Sequence, residues 1–144
     1  MIEQDTIKLL RECDAGVKMG ISSIEDVIDY VDDEKLKEAL NKCKDKHENL
    51  ATRIEYLLDE YHDDGKDPNP MAKGMSWLKT NAMLVMNESD STIADLMTEG
   101  CNMGVKSLNK YLNQYEAADE QAKNITKDLI RIEDDLVKEV RAYL

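Results

Sequence analysis

The chain has 144 residues, with 31 Asp and Glu against 19 Lys and Arg, for a net charge of −12. That length can bury an apolar core without disulfides or a structural metal, and that charge makes nucleic acid a poor partner because it repels phosphate backbones. Charged residues make up 35% and apolar ones 42%, so the chain reads as neither a disordered acidic tail nor a membrane protein.

Only 2 Pro and 6 Gly are present, and Phe is absent, a composition that favours helices filled by Leu, Ile and Met. Apolar residues recur at Leu10, Cys13, Val17, Ile21, Ile24, Ile28 and Val31, a spacing of three and four that marks one helix face. The Asp32-Asp33 pair then offers an N-cap. A second stripe follows at Leu36, Leu40, Cys43, His47, Leu50, Ile54, Leu57 and Tyr61, and it ends at the breaker run from His62 to Pro70.

A shorter, less regular segment runs from Met71 to Met86, and Asn87 to Ser91 supplies new capping residues. The third stripe is Ile93, Leu96, Met97, Gly100, Gly104, Leu108, Tyr111 and Tyr115; the fourth is Ala122, Ile125, Leu129, Ile132, Leu136, Val140 and Tyr143. The pattern predicts an all-α chain with long helices near residues 5–31, 34–62, 90–115 and 119–143 and a short one within 71–87. Tight turns within each pair and a long link between the pairs predict one four-helix bundle over residues 1–144 with a ferritin-like connection, in which the third helix runs parallel to the second. Trp77 is expected to anchor the crossover. The run Cys13 to Lys18 is echoed by Cys101 to Lys106, as two related hairpins would require.

Three cysteines without a C-x-x-C spacing argue against a disulfide framework or a zinc ribbon. Each is expected to pack as a small hydrophobe. The start Met1-Ile2-Glu3-Gln4-Asp5 lacks a signal-peptide pattern, and no apolar run reaches about 18 residues, so a cytoplasmic protein with no membrane span is expected.

Several of these pieces carry a resemblance. They are Met71 to Lys79 with Gly74, Trp77 and Lys79, Glu99-Gly100 with Leu108 to Leu112, and Leu129-Ile130-Arg131-Ile132-Glu133. Together they resemble an uncharacterised bacterial family of the ferritin-like superfamily, alongside rubrerythrins and bacterioferritins. The resemblance covers most of the chain and implies a left-handed bundle, without implying retained iron chemistry.

A di-iron bundle requires four inward carboxylates and two imidazoles, with Glu-x-x-His on two helices. Here Lys44 stands three residues before His47, Leu136 three after Glu133, and Asn102 three after Glu99, so a degenerate di-iron site is expected. Asp59 and His62 have the spacing of a metal pair, but they lie at a helix end beside a breaker.

His47 nonetheless falls inside an apolar stripe, and Glu133 is bracketed by Leu129, Ile130, Leu136 and Val137. The two are expected to meet at mid-height as a hydrogen-bonded pair, with the imidazole pKa raised and that of Glu133 lowered. Gly16, Gly20, Gly100 and Gly104 lie near the same level, either to let helices pack closely or to leave room beside the pair. The expected function is a binding or scaffold protein with no catalytic residue and no cofactor. The alternative is a metal-binding or oxidoreductase protein holding a single iron, manganese or zinc ion at His47, Glu133 and Glu99. A homodimer stays open as an assembly.

Overall fold

The computed structural model describes residues 2–68 and 89–144. The expected short helix within 71–87, with Trp77 and its neighbouring methionines, lies outside the described residues. Helix α1 spans Ile2–Val27, α2 Glu34–Glu60, α3 Asp90–Gln114 and α4 Glu120–Val140. Single 3₁₀ turns follow α1 at Ile28–Tyr30 and α4 at Arg141–Tyr143. Among the described residues there is no strand, and no helix is long and apolar enough to cross a membrane.

The starts of α2, α3 and α4 each have a side-chain cap, the first two within the capping runs expected from the sequence. Asp33, Ser89 and Asp119 accept the backbone N–H groups of Leu36, Thr92 and Ala122, which satisfies donors the helix itself leaves unpaired. The first helix stops earlier than its apolar stripe, at Val27 rather than Val31. Its last turn carries Glu25 and Asp26, the 3₁₀ turn after it carries Asp29, and neither holds a basic residue; carboxylates at a helix C-terminus oppose the macrodipole.

Hydrogen bonds between the hairpins set the helix directions. Asp90, at the start of α3, accepts the Asp32 and Asp33 N–H groups at 2.9 and 3.0 Å. At the opposite end Asp5 and Thr6, in the first turns of α1, accept the N–H groups of Ala117 and Asp119 between α3 and α4. Helices α2 and α3 therefore start at the same end and run parallel, whereas each hairpin is antiparallel. Tyr143 closes the first end by donating its hydroxyl proton to Asp33.

The interior is two apolar clusters stacked along the bundle. One holds Leu9, Leu10, Cys13, Val17, Leu50, Ile54, Leu108 and Leu129, among others. The second holds Ile24, Val27, Leu36, Leu40, Cys43, Ile93, Met97, Leu136 and Val140, among others. The second stripe finishes on Leu58 rather than Leu57, a step of four that keeps the same face inward.

Helix α2 ends in a Schellman motif. The Asp63 N–H donates to the Leu58 carbonyl and the His62 N–H to that of Asp59, both at 3.0 Å. His62 stands at the left-handed position of this motif, with φ 56°, and its backbone bond to Asp59 is part of the cap. Only glycine adopts that conformation without a Cβ penalty. His62→Gly is expected to stabilise the protein by about 0.5–1 kcal/mol, read as a shift in the urea midpoint at unchanged slope.

Candidate functional site

Between the two apolar clusters lies a polar layer. Along α1 it falls between Val17 and Ile24, along α2 between Cys43 and Leu50, and along α4 between Leu129 and Leu136. Its side chains are His47, 2% exposed, and Glu133, 7% exposed, so the structure buries both residues that the stripes turn inward. His47 Nε2 lies 4.0 Å from Glu133 Oε1.

That separation is an ion-pair distance and too long for a direct hydrogen bond, so the expected hydrogen-bonded pair is a gapped ion pair. Nε2 and Glu133 Oε2 are both buried without a hydrogen-bond partner. The other imidazole nitrogen is fixed: Nδ1 lies 2.8 Å from the Cys43 carbonyl oxygen. A carbonyl can only accept, so Nδ1 carries a proton. The same N–H also faces the Cys43 sulfur at 3.6 Å.

Two of the mid-helix glycines make this layer possible. A Cβ on Gly20 would lie 2.6 Å from His47 Cδ2 and Nε2, so the ring occupies the space a side chain on α1 would fill. A Cβ on Gly104 would meet the carboxylate of Glu133, 2.9 Å from Cδ. The two hairpins thus repeat one arrangement, a glycine on the first helix facing an ionisable side chain on the second. Gly16 makes only an ordinary contact with Leu129, and Gly100 faces open space.

Burial disfavours a charge on His47, but the contacts to Cys43 and Glu133 outweigh it and push the imidazole up to about 10. Glu133 behaves differently from the sequence expectation. Burial raises its pKa and outweighs the opposing pull of His47. Both groups hold their proton more tightly in the folded chain than in the unfolded one. Their contribution is therefore complete in mild acid and is lost as pH rises; for His47 the loss runs from about 6.5 to about 10.

Glu99, the third candidate ligand, is exposed on α3 and is not brought to the pair. Among the described residues no group of three His, Cys, Asp or Glu side chains could hold a metal ion. One imidazole and one carboxylate do not fit the six-ligand set of a di-iron centre. Cys13 sits in one apolar cluster and Cys43 in the other, with Cys101 packed against the second. The Cys13 thiol is 3.1 Å from Thr126 Oγ1, whose own proton goes to the Ala122 carbonyl, so sulfur is the donor. Burial pushes that thiol up to about 12.

A second buried carboxylate emerges that the apolar stripes did not single out. Asp14 is 2% exposed, and its Oδ2 accepts the Lys66 N–H and the Lys18 ammonium, each at 2.9 Å. Around it, Arg11 binds Asp63, Glu12 binds Lys66 and Lys18 reaches Asp67. Gly65, at φ 84°, presses its backbone against the Asp14 carboxylate where a Cβ would collide. Residues 63–67 are thereby strapped along α1. The Asp14–Lys18 spacing of four was the available signal.

Fold and site together define, among the described residues, a bundle of four helices with an ionisable pair at its centre. No protein-family model matches the chain, and no curated protein or solved structure is similar to it.

Proposed function

We propose that this chain is a ferritin-like bundle whose di-iron centre has been replaced by the His47–Glu133 pair, and that it acts as a cytoplasmic binding or scaffold protein. The observation that carries the reading is the seating of both side chains in the Gly20 and Gly104 notches. Imidazole and carboxylate fill the mid-height space from opposite hairpins, so the layer is built around the pair itself. The parallel course of α2 and α3 supports the ferritin-like connection, because the link between them must return along the bundle. Residues 63–67 already start that return along α1.

A buried pair of this kind specifies which faces meet. An apolar-for-apolar slip of one helix would leave each charge alone in the core, at a cost of several kcal/mol. Metal analysis tests the reading. Protein produced with iron, manganese and zinc supplied, then purified under reducing conditions, is expected to carry far less than one equivalent of any of them. A near-stoichiometric metal that disappears in His47→Ala would overturn it and establish the metal-binding alternative.

A further inference from the structure

Building on the reading of the His47–Glu133 pair as the centre of the bundle, we propose that the pair binds one internal water molecule between imidazole and carboxylate. Two orphaned atoms point to it. His47 Nε2 and Glu133 Oε2 are both buried without a hydrogen-bond partner, on residues only 2% and 7% exposed. Buried polar groups nearly always have a partner, in protein or in ordered water. Two orphans in one layer, with an apolar cluster on either side, call for a shared one.

The spacing fits a single bridging molecule. Nε2 and Glu133 Oε1 are 4.0 Å apart, too far for one hydrogen bond and too near for two in line. A molecule seated to one side of that line reaches ring and carboxylate at about 2.8 Å each, with an angle of about 90° at its oxygen. No Cβ stands over either orphan atom: at Gly20 one would lie 2.6 Å from Nε2, and at Gly104 one would meet Oε2. Both glycines are half-exposed, so exchange with solvent runs past bare backbone rather than through the apolar clusters.

Hydrogen-bond roles single out water. Nδ1 already donates to the Cys43 carbonyl at 2.8 Å, so the charged ring presents Nε2 as a second donor, while ionised Glu133 only accepts. The bridging molecule must therefore accept on one side and donate on the other. A halide only accepts and would set a like charge against the carboxylate. Ammonium only donates and would do the same to the imidazolium. A metal cation would need the Nε2 lone pair, which the ring proton occupies. Water fills both roles and adds no charge. Ring and carboxylate then each gain a partner without touching.

Two measurements on the reduced chain test the proposal. A crystal structure is expected to show one density peak at hydrogen-bond distance, about 2.6–3.1 Å, from both Nε2 and a Glu133 oxygen. Magnetic relaxation dispersion of the solvent counts water molecules held longer than the protein takes to tumble. That count is expected to fall by one in the double variant His47→Leu with Glu133→Leu, whose apolar layer has nothing to bind water. It is expected to hold in Glu133→Gln, whose side chain still accepts. Ring and carboxylate in direct contact, with no peak between them, would overturn the proposal yet leave the pair at the centre of the bundle. So would equal counts in the wild type and a folded double variant. A peak at about 2.0–2.2 Å from Nε2 would be a metal ion, and would overturn both the water and the metal-free reading. The crystal structure needs no variant, so it decides alone if the double variant does not fold.

Discussion

Gly20→Ala is expected to destabilise the protein by about 2 kcal/mol, although alanine is the better helix former by about 1 kcal/mol. The new Cβ would lie 2.6 Å from the His47 ring, closer than real contacts permit. The ring cannot step aside freely, because Nδ1 is tied to the Cys43 carbonyl at 2.8 Å. Gly104→Ala should cost less, since the atoms it meets are the end of the flexible Glu133 side chain. Gly100→Ala, with nothing nearby, should instead stabilise by about 1 kcal/mol. Urea denaturation of the three variants reads these signs directly. The penalty at Gly20 should shrink in a His47→Ala background, because the two positions compete for one volume. A gain in stability from Gly20→Ala alone would show that the ring does not occupy that notch.

Asp14→Ala should cost about 3 kcal/mol, the second large effect. The carboxylate is buried and accepts one backbone N–H and one ammonium, and hydrogen bonds to a charged group contribute about 1.5–3 kcal/mol each. Most of the other pairs along the strap have a partner open to solvent, such as Arg11 with Asp63 or Lys18 with Asp67. Exposed pairs of this kind contribute at most about 1 kcal/mol. The strap should therefore loosen as a unit in Asp14→Ala, and trypsin should cleave after Lys66 far faster than in the wild type. In Asp67→Ala the cleavage rate should stay close to that of the wild type. Equal cleavage in Asp14→Ala and the wild type would remove Asp14 from this role.

The helices were legible because apolar spacing records which face is buried, and burial is the largest force on an amphipathic helix. The stripe from Leu36 to Ile54 is the clearest case, and all its residues are buried. The inward turn of Glu133 was legible for the same reason, since flanking apolar residues leave it no other direction. What spacing does not carry is distance. It placed His47 and Glu133 at one level but could not tell a hydrogen bond from a 4.0 Å gap, nor that burial would outweigh the pull of His47 and raise the Glu133 pKa. Nor does it tell one glycine from another: Gly20 and Gly104 house side chains, whereas Gly100 faces solvent. Asp14 could be placed only at the edge of its stripe, because its burial comes from a loop packed across α1, a contact that helical periodicity cannot register.

The bundle is organised around His47 as a charged, buried partner of Glu133. Proton NMR titration tests it most directly, because the chain holds only 2 histidines and His62→Gly leaves His47 alone in the imidazole region. The His47 Cε1 proton is expected not to titrate between about pH 6 and 8. Its midpoint should lie near the raised value of about 10 and move down in Glu133→Gln, since the carboxylate favours the imidazolium. A midpoint at or below the ordinary value of about 6.5, unmoved by Glu133→Gln, would contradict it.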